Sequence, residues 1–161
     1  MKAKIEKTNA ARLLERAGVP HELVPYEVDE ADLSASRVAG QLRADVRQVF
    51  KTLVLRGDKG GLFVCVIPGD EEVDLKLAAR ASGNKKAEML PVKELLPATG
   101  YVRGGCSPVG MKKALPTWIH HSCGQFEAIF VSAGVRGLQL RVAPGDLIRF
   151  TRATVADLTN T

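Results

Sequence analysis

Two apolar runs flanking a glycine-rich turn constrain this chain most: Val49 to Leu55, then Gly57-Asp58-Lys59-Gly60-Gly61, then Leu62 to Ile67. Runs of this length, rich in Val, Leu and Phe and joined by five turn residues, predict a β-hairpin. A lone hairpin is at best marginally stable, so the flanking segments have to cover it. They offer suitable material. Thr8 caps a predicted helix through Leu13, Leu14 and Ala17 that stops at Gly18; Ser34 opens a second helix through Val38, Ala39 and Leu42; Asp74 caps a third that ends at Gly83. A short helix is expected near Val92 to Leu96, between prolines. Strands are expected at His21 to Val28, with Pro25 favouring a sheet edge, and at Thr117 to His120, Glu127 to Val131 and Leu138 to Val142. Asp146 to Phe150 and Val155 to Leu158 read as short terminal helices.

Strands and helices mix without a strict βαβ rhythm. The expected fold is therefore α+β, a single domain over residues 1–161 with a mixed, largely antiparallel sheet forming a partly closed barrel flanked by helices. With 161 residues and 45% hydrophobic content, such a domain can hold a full core without disulfides. The odd cysteine count (Cys65, Cys106 and Cys123) fits that reading. The basic N-terminal segment never opens into a signal peptide, and no run approaches a membrane span, so a soluble, cytoplasmic protein with no membrane partner is expected. The net charge of +5 is mild and scattered; it permits an anionic partner without demanding one.

Four places could carry chemistry. Period-2 alternation puts Lys51 on the face of Val49, Leu53 and Leu55; if that face is buried, its ammonium needs a partner or ligand, and if Phe50, Thr52 and Val54 face inward instead, Lys51 is simply solvated. The loop Gly104-Gly105-Cys106-Ser107-Pro108-Val109-Gly110 suits close backbone approach and N–H donation to an anion or oxyanion, although taken alone it reads first as a surface turn. The turn from Ser132 through Gly134 to Gly137, with Arg136 as a donor, carries the same ambiguity. His120-His121-x-Cys123 with Cys106 supplies zinc-ligand types, but adjacent histidines in a strand point to opposite faces and no CxxC or HExxH is present, so no metal is expected. Cys106 has no base placed beside it, which argues against a cysteine nucleophile.

In order, Tyr26-Glu27-Val28-Asp29, Val49-Phe50-Lys51-Thr52-Leu53, Val73-Asp74-Leu75-Lys76, Lys85-Lys86-Ala87, Gly100 to Lys113, Leu115-Pro116-Thr117 and Val131 to Leu138 resemble the YbaK/EbsC family of freestanding aminoacyl-tRNA deacylases. That family is similar to the editing domain of bacterial prolyl-tRNA synthetases. The Gly-Gly-x-Ser-Pro-x-Gly stretch followed by Lys112-Lys113, downstream of the Lys51-Thr52 strand, is its most specific part. The resemblance implies a role in translation fidelity: trans-editing hydrolysis of mischarged aminoacyl-tRNA, chiefly Cys-tRNA(Pro), by substrate-assisted cleavage of the ester. It implies the acceptor end of aminoacyl-tRNA as partner, prolyl-tRNA synthetase as a transient one, and no cofactor. By position it implies Lys51, Gly104, Gly105 and Ser107 as catalytic residues. Tyr26, Thr52, Cys106, Pro108, Gly110, Ser132, Gly134 and Gln139 would contact substrate. Gln139 stands where Cys-tRNA(Pro) deacylases of the family carry aspartate; its carbonyl can accept a hydrogen bond from an α-ammonium but brings no charge. A deacylase for another small amino acid such as alanine, or a non-catalytic tRNA-binding module, is the alternative. Few aromatic residues are available for stacking RNA bases, which weakens the second of these.

Overall fold

A computed structural model describes residues 6–59 and 61–160. Gly60 of the hairpin turn, and residues 1–5 of the N-terminal segment read for a leader, lie outside them. The expected hairpin is present: β2 (Phe50–Gly57) pairs antiparallel with β3 (Leu62–Pro68), with Lys51 opposite Ile67. Around it the described chain orders as α1 (Asn9–Arg16), β1 (His21–Pro25), α2 (Ala35–Leu42), then β2 and β3, α3 (Leu75–Ser82), β4 (Ala87–Met89), α4 (Val92–Thr99), β5 (Thr117–His120), β6 (Ile129–Ser132), β7 (Leu138–Val142), α5 (Pro144–Thr151) and β8 (Thr154–Ala156). Thr8, Ser34 and Asp74 cap α1, α2 and α3 as expected, each accepting from a backbone N–H of the first turn. α4 runs through Pro97 to Thr99, further than the prolines suggested, because the Thr99 hydroxyl and the Gly100 N–H satisfy the carbonyls of Leu95 and Leu96.

The strands make two sheets, β1-β7-β6 and β4-β2-β3-β5-β8. Four pairings are antiparallel, and β3-β5 and β5-β8 are parallel, so the sheet is mixed as expected. The sheets do not close into a barrel. An isolated parallel bridge between Val49 and Phe130 joins them at one corner. β1 lies at an edge, where Pro25 needs no ladder partner. The expected helix at Val155 to Leu158 is instead β8: Thr154 and Val155 are β-branched, and β5 offers a free edge to pair with.

The largest apolar cluster fills the space between the sheets. It holds Phe50 and Val54 of β2, Ile129 and Val131 of β6, Leu138, Leu140 and Val142 of β7, and Ala10, Ala11 and Leu14 of α1. The outer face of the five-stranded sheet, carrying Leu55, Cys65 and Ile67, packs under α3 and Leu158. The outer face of the small sheet, carrying Val24 and Phe130, packs under α2. Both faces of β2 are thus covered, so the choice between one buried face and the other does not arise.

Candidate active site

The Val49–Phe130 bridge fixes where the candidate residues meet. Carrying its register two residues on sets Lys51 level with Ser132 on a shared face. Ser132 pairs with Gln139, and Gln139 with Val24. One row therefore crosses the junction on the outer face: Val24, Gln139, Ser132 and Lys51, with Tyr26 two residues beyond Val24 on the same side. No local pattern shows this row, because its residues run from 24 to 139 in number, and β2 meets the other three strands only through the corner bridge.

Depth grades the row by chemistry. Gln139 is 5% exposed, and its side-chain carbonyl Oε1 is buried with no hydrogen-bond partner among the described residues. Ser132 Oγ is also buried and accepts from Gly134 N at 3.1 Å. The Lys51 side chain is 31% exposed, with its Nζ 4.0 Å from Glu72, a fully solvated carboxylate. So the row carries a buried acceptor with no partner among the described residues at Gln139 and a partly exposed cation at Lys51. Thr52 alternates away from Lys51, toward the inter-sheet core, where its Oγ1 is buried without a partner among the described residues.

The two glycine loops, far apart in sequence, are packed against each other at this end of β6. A Cβ on Gly105 would lie 3.2 Å from Arg136 N, Val135 C and Val135 Cα, so the two backbones touch. Gly134 has φ +106, and a Cβ there would meet the Tyr101 ring at 3.0 Å. Arg136 ties the loops together: its Nε donates to Arg103 O at 2.8 Å, and its guanidinium donates to Glu30 at 2.5 Å. Tyr101 donates its hydroxyl to Val109 O and lies beside Gly110. Burial, with Cys106 adding to it, pushes the Tyr101 hydroxyl up to about 12, so it stays a donor.

The loop is less open than its composition suggested. Cys106, Ser107, Pro108 and Val109 are buried, and Cys106 and Val109 belong to the inter-sheet core. Ser107 Oγ accepts from Val109 N, and Gly105 N donates to Val102 O at 2.9 Å, so those two N–H groups are engaged within the loop. Gly104, exposed, is the part of the loop that a ligand can approach. Burial pushes the Cys106 thiol up to about 12, which leaves it protonated and unreactive at neutral pH. Tyr101 and Glu30 are supports that the sequence did not single out, although Tyr101 stands just ahead of the glycine run; Arg136, expected as a donor, donates to Arg103 O and Glu30.

The histidine pair departs from expectation. β5 ends at His120, and His121 begins a 3₁₀ turn, so the two side chains do not diverge: their rings stack with centroids 4.2 Å apart. Neither Cys106 nor Cys123 joins them; both are buried in the inter-sheet core. Burial, reinforced by His121, holds His120 below its ordinary value, against the opposing pull of Glu71 and Asp157.

A family model described as an aminoacyl-tRNA editing domain matches residues 29–150. A protein of Enterococcus faecalis with the provisional name Cys-tRNA(Pro)/Cys-tRNA(Cys) deacylase EbsC is 48% identical over 154 residues, 96% of this chain and 94% of that protein. A proline–tRNA ligase of Thermosipho africanus is 29% identical over 80 residues, half of this chain and 14% of the ligase. Among solved structures, one described provisionally as a trans-editing enzyme for prolyl-tRNA synthetase superposes with a TM-score of 0.83 at 27% identity, over 97% of this chain and all of that one. Among the described residues no helix is long and apolar enough to cross a membrane.

Proposed function

This chain belongs to the aminoacyl-tRNA editing domain family, and on that premise we propose that residues 1–161 act as one trans-editing deacylase whose principal substrate is Cys-tRNA(Pro). The observation that carries the site assignment is the row of Gln139, Ser132 and Lys51 across the sheet junction, beside the locked glycine loops. An aminoacyl ester joins a small amine-bearing residue to a ribose flanked by phosphate. The row offers an acceptor for the amine, Gln139 Oε1, and a cation for the phosphate or for charge developing on the ester, Lys51 Nζ.

Cys106 is protonated and buried and supplies no nucleophile; on this reading the attacking group is the substrate's own thiol. The cysteinyl thiol attacks its own carbonyl carbon: a C–S bond forms, the C–O bond to the terminal ribose breaks, and the thiol proton passes to the departing ribose oxygen. Free tRNA and a cyclic thiolactone result. The protein accelerates this step by holding both ends of one small residue in reacting geometry. On the same reading, backbone near Gly104, the exposed part of the loop, stabilises the carbonyl oxygen as it gains charge. A domain that meets only the acceptor end makes few phosphate contacts, so tRNA binding is weak and salt-sensitive and is helped by a transient complex with prolyl-tRNA synthetase in the cytoplasm.

The neutral Gln139 favours a second reading in which alanine or another small amino acid is accepted as well. Release of amino acid from Cys-, Ala- and Ser-charged tRNA(Pro), by wild type and by Lys51→Ala, tests both readings. The Lys51–Glu72 pair is long and solvated, and such pairs contribute about 0–1 kcal/mol, so Lys51→Ala is expected to stay folded. Cysteine release by wild type, at least about tenfold slower in Lys51→Ala, supports the assignment. Equal rates in the two proteins would remove Lys51 from the site, and faster alanine than cysteine release would overturn the substrate-assisted route.

A further inference from the structure

We infer that His120, His121 and Asp157 form a binding site for one divalent transition-metal ion, best suited to zinc, which fastens the C-terminal segment to the corner between β5 and the following 3₁₀ turn. The three donor atoms, one from each residue, lie within 4.8 Å of one another. His120 Nε2 is 3.4 Å and His121 Nε2 is 3.9 Å from the same oxygen, Asp157 Oδ1. A tetrahedral ion with bonds of about 2.0–2.1 Å holds its ligand atoms roughly 3.3–3.4 Å apart. The first distance already fits. The second needs a shift of about half an ångström, and the separation of the two histidine donors, within 4.8 Å, one of up to about 1.4 Å, from His121 and Asp157 side chains that are more than half exposed.

The surroundings are those of a ligand set. His120 Nδ1 lies 2.8 Å from Ser122 Oγ and accepts from Ser122 N at 3.2 Å, so taking an ion on Nε2 requires the ring proton to move to Nδ1, where Ser122 Oγ is the acceptor within reach. His120 Nε2 also lies 3.1 Å from Thr159 Oγ1, and that hydroxyl is 3.4 Å from Glu71 Oε2, so a second carboxylate stands nearby. His120 is itself 3% exposed, which fixes its ring, while exposed His121 and Asp157 leave the fourth position open to water. Two imidazoles with one carboxylate select zinc and its neighbours over magnesium or calcium, which prefer all-oxygen shells. Asp157 follows β8, and Thr159 bridges to Val73, so an ion here would close the C-terminal segment onto two elements at once. A stacked histidine pair hydrogen-bonded to a carboxylate, with no affinity for metal, is the competing account.

The test uses the full chain without a histidine tag. Zinc titration against a chromophoric chelator is expected to give one ion per chain. His121→Ala and Asp157→Asn, both at exposed positions, are expected to weaken binding at least tenfold while keeping the wild-type circular dichroism. Cobalt in place of zinc should give an intense tetrahedral visible spectrum without a thiolate charge-transfer band. Well under one zinc per chain, affinity unchanged in both variants, or a thiolate band would each overturn the assignment.

Discussion

Replacing Gln139 by methionine separates what this residue does for stability from what it does for chemistry. Gln139 is 5% exposed, and its Oε1 has no hydrogen-bond partner among the described residues. Burying an amide without compensation costs about 1–3 kcal/mol on mutational scales. Methionine keeps nearly the same length and shape, so it removes the unsatisfied acceptor without opening a large cavity. Loss of the polar NH₂ group offsets about 1 kcal/mol of that. A net gain of about 1 kcal/mol, or a rise of about 2–4 °C in Tm for a domain of this size, is expected. Activity should move the other way. If Oε1 accepts from the substrate ammonium, that charge-assisted bond is worth about 1.5–3 kcal/mol, and kcat/KM should fall about ten- to 150-fold. Thermal unfolding and single-turnover deacylation on the same preparations provide the two readings. A variant destabilised by more than about 1 kcal/mol would show that Oε1 is satisfied in the native state, and kcat/KM within twofold of wild type would remove it from the substrate site.

Three further outcomes follow from the loop contact and from thiol burial. Gly105→Ala places a methyl 3.2 Å from three backbone atoms of the opposing loop, which Arg136 holds in place, so it should cost about 1–3 kcal/mol in chemical denaturation and slow deacylation by parting the loops; an unchanged rate would show that loop contact is not needed for chemistry. Cys106→Ala should keep deacylation within about threefold of wild type, because a thiol pushed up to about 12 is not a nucleophile at neutral pH. The unfolded chain ionises Cys65 and Cys106 near their ordinary 9.0, whereas burial holds both at about 12 in the folded one. Their contribution to stability is therefore complete below pH 9 and lost as pH rises toward 12, and the alkaline limb of a denaturation–pH curve should flatten in Cys106→Ala.

The hairpin, the three side-chain caps and the edge position of β1 were legible because each rests on a local cause: alternation, an Asp, Ser or Thr oxygen within reach of first-turn N–H groups, or the missing donor of Pro25. The family was legible in the same way, since its motif lies in contiguous runs such as Gly104 to Lys113. β8 was misread because a three-residue strand is decided by the edge waiting for it on β5, not by its own pattern. The glycine loop looked open in sequence, yet the apolar side chains of Cys106 and Val109 draw it into the core. The histidines diverge in a strand and stack here only because the strand ends between them.

By itself, then, the sequence determined the elements and the residue types of the site, because turns, caps and period-2 faces are properties of neighbouring residues. Tertiary structure alone decided that Lys51, Ser132 and Gln139 share one row, that Gly105 touches Val135 and Arg136, and that Asp157 meets both histidines. Those relations depend on the register of a single bridge between two sheets and on where β8 finds an edge, and neither is written in any stretch of chain shorter than the fold.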